Sequence, residues 1–229
     1  MSVNANRRSA RGFTLIEVLV TLVILVFGML GLAGLIVKGN RAAFEAYQRH
    51  QALSIANDMV ERIKSNQAMQ PTGGSNIAMM TDAVNGYVTL APVATPLGDP
   101  ASPVRWDALV SASITDCGIA PTCNRNQIAL YDVALWEGSL LGVGETATVG
   151  GRRLGGLLNA RGCIEGPLAA PSPPNTFRVS VTWQGDIATV APTASACAQA
   201  LNIYADTTGA ANDATRRLVT LDVTVFEPI

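Results

Sequence analysis

Residues 13–37 read FTLIEVLVTLVILVFGMLGLAGLIV, an unbroken apolar run in which Glu17 is the one charge, bounded by Arg11 and Lys38. At about 1.5 Å of rise per residue, a helix of this length crosses a hydrocarbon core of about 30 Å. The run is longer than the apolar region of an ordinary secretory signal, and no small-x-small cleavage pattern follows it. Arg7, Arg8 and Arg11 precede it without an acidic neighbour. That bias predicts an N-terminus on the cytoplasmic side and everything after Lys38 outside the cytoplasm.

The rest of the composition narrows the classes. Of 229 residues 14% are charged, and the mean hydropathy is +0.28, which excludes a disordered or heavily solvated chain. A formal net charge of −1 gives no global reason to expect a nucleic-acid partner. A single histidine, His50, leaves little for imidazole catalysis or a His-rich metal site. Abundant Gly and Pro with few aromatics suit a loop-rich β module.

Glu17 is the feature that the membrane reading must explain. A carboxylate inside an apolar span costs a few kcal/mol (about 3 on insertion scales), so such groups are functional by default. Snorkelling to the nearby interface is the plain alternative. A cut between Gly12 and Phe13 supplies a stronger reason: it creates an ammonium four residues before Glu17, at a spacing that shares a helix face. That ammonium can pair with this carboxylate or with a neighbour's.

Arg11-Gly12-Phe13-Thr14-Leu15-Ile16-Glu17-Val18-Leu19-Val20 resembles the cleavage site of type IV prepilins. The resemblance implies a short basic leader that prepilin peptidase removes after Gly12, and N-methylation of the new N-terminal Phe13. It also implies that Glu17 is the carboxylate that docks subunits during assembly. Loss of the leader removes three positive charges and takes the net charge from −1 to −4. Gly28, Gly31 and Gly34 interrupt the apolar run at three-residue spacing. Each costs a helix about 1 kcal/mol relative to Ala in water. Ordinary membrane-helix composition explains them, as does close helix–helix approach or a helix that loosens in a fibre. The spacing is not GxxxG.

Beyond Lys38, residues 38–70 are rich in helix formers and free of Pro. Ala52, Ile55, Ala56, Met59, Val60 and Ile63 form a stripe at helical spacing, with Arg49, Asp58, Glu61, Arg62 and Lys64 largely off it. One helix is therefore expected from Phe13 to about Gln70, before Pro71-Thr72-Gly73-Gly74. His50 falls on it as a surface or groove residue. The expected organisation is a basic leader, 1–12; a transmembrane half-helix, 13–37; an amphipathic half, 38–70; and a periplasmic β head, 71–229.

In the head, residues 177–184 (FRVSVTWQ) alternate between apolar and polar, as a half-buried strand does. Val219, Leu221, Val223 and Val225 alternate likewise, and Tyr87–Val93 is a weaker third strand. Leu130, Val133, Trp136 and Leu140 recur at helical spacing, which predicts a short helix within 129–141. The stretches 92–103 and 167–174 read as loops. The fold class is α+β: a long N-terminal helix packed on an antiparallel sheet with a small helix, as in pilins.

All four cysteines, Cys117, Cys123, Cys163 and Cys197, lie in the head. An even count outside the cytoplasm points to two disulfides, with three pairings open. The CGIAPTC spacing favours Cys117–Cys123, leaving Cys163 for Cys197. A zinc site lacks both a C-x₂-C pair and a local His. No HExxH, GxxxxGK[ST] or G-x-S-x-G occurs, so neither an enzyme nor a cofactor is expected. Residues 142–147 match G-x-G-x-x-A formally but follow a helical segment, and read as a loop. Arg152-Arg153 and Arg216-Arg217 lack neighbouring aromatics and read as solvated turns and strand ends, not as a DNA surface.

The head adds scattered blocks: Tyr131-Asp132 with Trp136, residues 160–164 (ARGCI), residues 181–185 (VTWQG) and residues 216–221 (RRLVTL). They are similar to the type IV pilus modification (PilV) family of minor pilins. That likeness implies a subunit that helps initiate a fibre or form its tip, in support of twitching motility, adhesion or DNA uptake. The implied partners are prepilin peptidase, the inner-membrane assembly platform, other minor pilins, the major pilin and a tip adhesin. Two alternatives stand beside it. A minor pseudopilin of type II secretion shares the leader, the Glu and the helix, but the head blocks favour the pilus. A membrane-anchored periplasmic enzyme or binding module would need an uncleaved anchor and a polar cluster in the head.

Overall fold

Helix α1 runs from Leu15 to Ala68, 54 residues, in a computed structural model that describes residues 12–68, 86–120, 122–143, 156–204 and 213–224. The apolar run and the amphipathic stripe that follows it belong to this one helix. The leader residues Arg7, Arg8 and Arg11, the 71–74 turn, Arg152-Arg153 and Val225 lie outside the described residues. The chain divides into two units, with the division after Phe44.

In the first unit, every large apolar side chain between Phe13 and Val37 is exposed, from 44% to 91%. Among the described residues, α1 is the one helix long and apolar enough to cross a membrane, with a mean hydropathy of 2.7 in its most apolar window. Within it the Thr21 hydroxyl donates to the Val18 carbonyl at 2.9 Å, so the helix satisfies its own polar groups there.

The second unit holds the core. Its remaining elements are α2 (Val104–Val110), α3 (Arg125–Leu141), β1 (Arg161–Glu165), β2 (Thr176–Gln184), a 3₁₀ turn (Gln199–Leu201) and β3 (Arg216–Thr224). The three strands form one antiparallel sheet in the order β1-β2-β3. The register places Phe177 opposite Val223, Val179 opposite Leu221 and Val181 opposite both Gly162 and Val219. Phe177, Val179, Val181, Val219 and Val223 join the α1 stripe Ala52, Ile55, Ala56, Met59, Val60 and Ile63 and α3's Val133, Trp136 and Leu140 in one buried cluster, with Leu221 packed against it. The stripe read from the sequence is therefore the face that meets the core. The Trp136 indole N–H donates to the Ile55 carbonyl at 3.0 Å, so the large ring enters the core with its polar atom satisfied.

Local chemistry starts and stops α3. The Asn124 side chain accepts from Gln127 N–H while the Gln127 side chain accepts from Asn124 N–H, a reciprocal capping box. Gly142 ends the helix in the left-handed conformation, φ 64°. The onset at Arg125 precedes the apolar periodicity that marks the helix in the sequence. Both pairings Cys117–Cys123 and Cys163–Cys197 are formed.

Three expectations are corrected. Residues 86–90 are helical, not a strand: Ala91 N–H donates to the Tyr87 carbonyl at 3.0 Å, and the buried positions Tyr87 and Ala91 are four apart. The sheet gains its third strand from β1 instead, five residues whose pattern is too short to read. Strand β2 is not half-buried, because Ser180 and Thr182 on its polar side are also buried, the latter with Tyr204 against it at 2.8 Å. Arg216 is not a solvated strand end but fully buried, as described below.

A side chain at Gly162 has no room: its Cβ would lie 2.6 Å from the Trp136 ring and 2.7 Å from Leu140. Overpacking a core costs about 1–3 kcal/mol. We expect Gly162→Ala to lower the unfolding free energy of the full chain in detergent by that amount, read as a lower denaturation midpoint; an unchanged midpoint would contradict the packing.

Candidate functional site

The residues that the processing motif singles out lie at the start of α1. Gly12 and Phe13 precede the helix, Phe13 is 83% exposed, and Glu17 lies in the first turn. Thr14 caps this turn: its hydroxyl accepts from Glu17 N–H at 3.3 Å and its carbonyl from Glu17 and Val18 N–H at 3.1 and 3.3 Å. Glu17 thereby occupies the acid position of a Thr-x-x-Glu cap, where the positive end of the helix favours a carboxylate. The spacing is plain in the sequence, but the helix onset that gives it meaning is known only from the structure. Gly28, Gly31 and Gly34 share the exposed span, and a Cβ at any of them would meet nothing within 4 Å. His50 is exposed on α1.

The second unit carries a polar network that sequence reading missed. Tyr87 is buried and its hydroxyl donates to Asp132 at 2.6 Å; Asn66 Nδ2 donates to that hydroxyl at 2.9 Å and to the Arg125 carbonyl at 3.1 Å. Arg62 donates through Nη1 to Asp132 at 3.2 Å and through Nε to Asp58 at 2.8 Å. Burial raises the Asp132 carboxyl above its ordinary value, opposed by the bonds from Tyr87 and Arg62. Burial, and then the Asp132 charge, raise the Tyr87 phenol. For Arg62, burial works against the charge, and the carboxylates of Asp58 and Asp132 outweigh it, so its pKa is raised.

Other buried charges fix loops onto the sheet. Glu137 of α3 accepts from Arg105 and Trp106 N–H at 2.7 and 2.8 Å, and so caps α2 from across the fold. Arg216 donates to the carbonyls of Pro192, Ser195 and Cys197 at 2.6, 3.1 and 3.2 Å, and lies 3.4 Å from Asp213. These bonds explain its burial: backbone carbonyls and a carboxylate replace its water shell. Arg217 pairs with Glu45 of α1 at 3.3 Å and donates to the Ile187 carbonyl at 2.7 Å. Among the described residues no group of three His, Cys, Asp or Glu side chains is placed to hold a metal. The four cysteines are all consumed in disulfides.

Residues 7–33 match the family model of the prokaryotic N-terminal methylation motif. Joined to an exposed apolar helix and a pilin-like α+β head, that motif marks a protein of the type IV prepilin class. The motif indicates a type IV pilin-like or pseudopilin protein. No curated protein and no solved structure matches the chain.

Tyr204 offers a test of the head's packing. Its hydroxyl donates to the Asn159 carbonyl at 2.8 Å, and burial pushes its pKa up to about 12. The folded state thus holds this proton more tightly than the unfolded chain, whose phenol titrates near 10. The resulting stability is complete below about pH 10 and is lost as the pH rises through about 12. We expect Tyr204→Phe to show a shallower fall in denaturant midpoint between pH 9 and 11.5 than the parent. Parallel curves would contradict the assignment.

Proposed function

We propose that the chain is a minor pilin of a type IV pilus, of the PilV kind: a structural subunit, not an enzyme, that helps initiate the fibre or build its tip. The observation that carries the reading is the methylation motif at 7–33, which runs into the exposed apolar part of α1. In this reading prepilin peptidase cuts between Gly12 and Phe13, and Phe13 is N-methylated. Before assembly the subunit sits in the inner membrane by its 13–37 span, head in the periplasm.

Assembly follows from two physical requirements. The apolar surface of α1 cannot pass into water, so extraction exchanges lipid for the helices of other subunits. The cut also leaves an ammonium at Phe13, at the positive end of a helix, where it is disfavoured. A neighbour's Glu17 neutralises it, and a subunit in the wrong register would bury both charges unpaired. Gly28, Gly31 and Gly34 then permit close helix approach. The partners are the assembly platform, other minor pilins, the major pilin and a tip adhesin, and the outcome is motility, adhesion or DNA uptake.

The second reading, a minor pseudopilin of type II secretion, shares the motif; the PilV-like head blocks favour the pilus. Deleting the gene separates them. We expect surface pili and twitching to fall while enzyme export continues, and Glu17→Ala to be processed yet absent from sheared fibres. Lost export with normal pili would favour the pseudopilin, and normal incorporation of Glu17→Ala would refute the docking role.

A further inference from the structure

Contacts within the head fix which of its ends α1 enters by. The Trp136 ring, bonded to the Ile55 carbonyl, lies against Gly162, which pairs with Val181 of β2. Ten residues earlier on α1, Glu45 pairs with Arg217, the residue opposite Trp183 near the end of β2. Glu45 Oε1 also accepts from Asp186 N–H at 3.3 Å, just past that strand. β2 therefore runs toward the start of α1's course through the head, and the segment after it lies at the entry end. There residues 186–190 (DIATV) are all exposed, Ile187 at 55% and Val190 at 92%. Leu158, whose carbonyl accepts from Gln184 N–H at 2.8 Å, is 51% exposed at the same end. The segment is firmly held. Arg217 donates through Nη1 to Thr189 Oγ1 at 2.8 Å and through Nη2 to the Ile187 carbonyl at 2.7 Å, and Thr189 N–H donates to the Ala214 carbonyl at 2.7 Å. Fixed backbone thus presents apolar side chains outward, an arrangement that marks a contact surface.

We propose that this end of the head rests on the periplasmic surface of the membrane that α1 crosses, with Leu158, Ile187 and Val190 set into the lipid interface. The inference rests on the reading of 13–37 as a membrane span. Chain length brings the surface within reach. Glu45 follows Val37 by eight residues of one continuous helix, about 12 Å of rise. The headgroup layer takes up about 5–7 Å of that distance. A segment of five residues beyond the end of β2 covers the remainder at about 3.3 Å per residue, and any tilt of α1 shortens it. From Ile187 to Val190 the segment carries no charged side chain, so burying it at the acyl boundary removes apolar area from water without stripping water from an ion. The contact seats the head before assembly and is given up when the subunit leaves the membrane.

The test places the full chain, one copy per disc, in phosphatidylcholine nanodiscs, with a fluorophore on a single added cysteine and nitroxide-bearing phosphatidylcholine as quencher. The native cysteines are all in disulfides and do not compete for the label. Ala188→Cys reports the segment, Val26→Cys the span, and Ser65→Cys an exposed position twenty residues past Glu45 on α1. We expect a headgroup nitroxide to quench at position 188, an acyl-chain nitroxide to quench at 26, and neither to quench at 65. Replacing both Ile187 and Val190 by Ser removes exposed apolar side chains that make no hydrogen bond. It should lower the ratio of lipid-contacting to free heads by about tenfold or more, read as lost quenching at 188. Quenching at 26 but not at 188, or quenching at 188 that survives both Ser substitutions, would overturn the proposal and leave the span intact. Quenching at 188 only when two chains share a disc would give the surface to a second copy and overturn it equally. No quenching at 26 would remove the span, and this contact with it.

Discussion

The structure depends on a solvation constraint. A helix whose side chains from Phe13 to Val37 are exposed and almost wholly apolar cannot rest in water, because the free energy of hydrating that surface exceeds any gain from its own hydrogen bonds. It needs lipid or the apolar faces of other helices. α1 satisfies every backbone group in its interior internally, which lets it occupy either environment. One charged side chain, Glu17, breaks the uniformity at the capped first turn, where the helix dipole tolerates a carboxylate.

The head obeys the opposite rule and buries its apolar groups against the second half of the same helix. The Ala52–Ile63 stripe closes the core over Trp136 and the inner face of the sheet. Charged side chains then tie the periphery down: Arg217 to Glu45, Arg216 to the 192–197 segment, Glu137 to the start of α2. Each such pair links segments far apart in sequence. Together with the 163–197 disulfide they stabilise the long loops among the head's described residues.

What the sequence revealed and what it hid differ in range. The α1 stripe, β2, β3 and most of α3 were legible because a 3.6- or 2-residue period is a local property sustained over many residues. Gly12, Phe13 and Glu17 stand out in the sequence through a short motif. Strand β1 was hidden because RGCIE takes its conformation from its register with β2, not from its own pattern. Helix α2 has no side-chain cap of its own; its cap is Glu137, more than thirty residues later. Tyr87 read as a strand residue, whereas its hydroxyl is drawn to Asp132 and Asn66. Arg216 read as solvated, since nothing local announces three carbonyls converging on it. The polar network around Asp132 belongs to this long-range class.

The central claim is that the apolar helix begins at a cut made after Gly12. Mass spectrometry of the N-terminal peptide, from cells with and without prepilin peptidase, tests it most directly. The account predicts a peptide that begins at methylated Phe13 and vanishes without the peptidase. An intact leader in cells that contain the peptidase, or a cut beyond Val37, would contradict it.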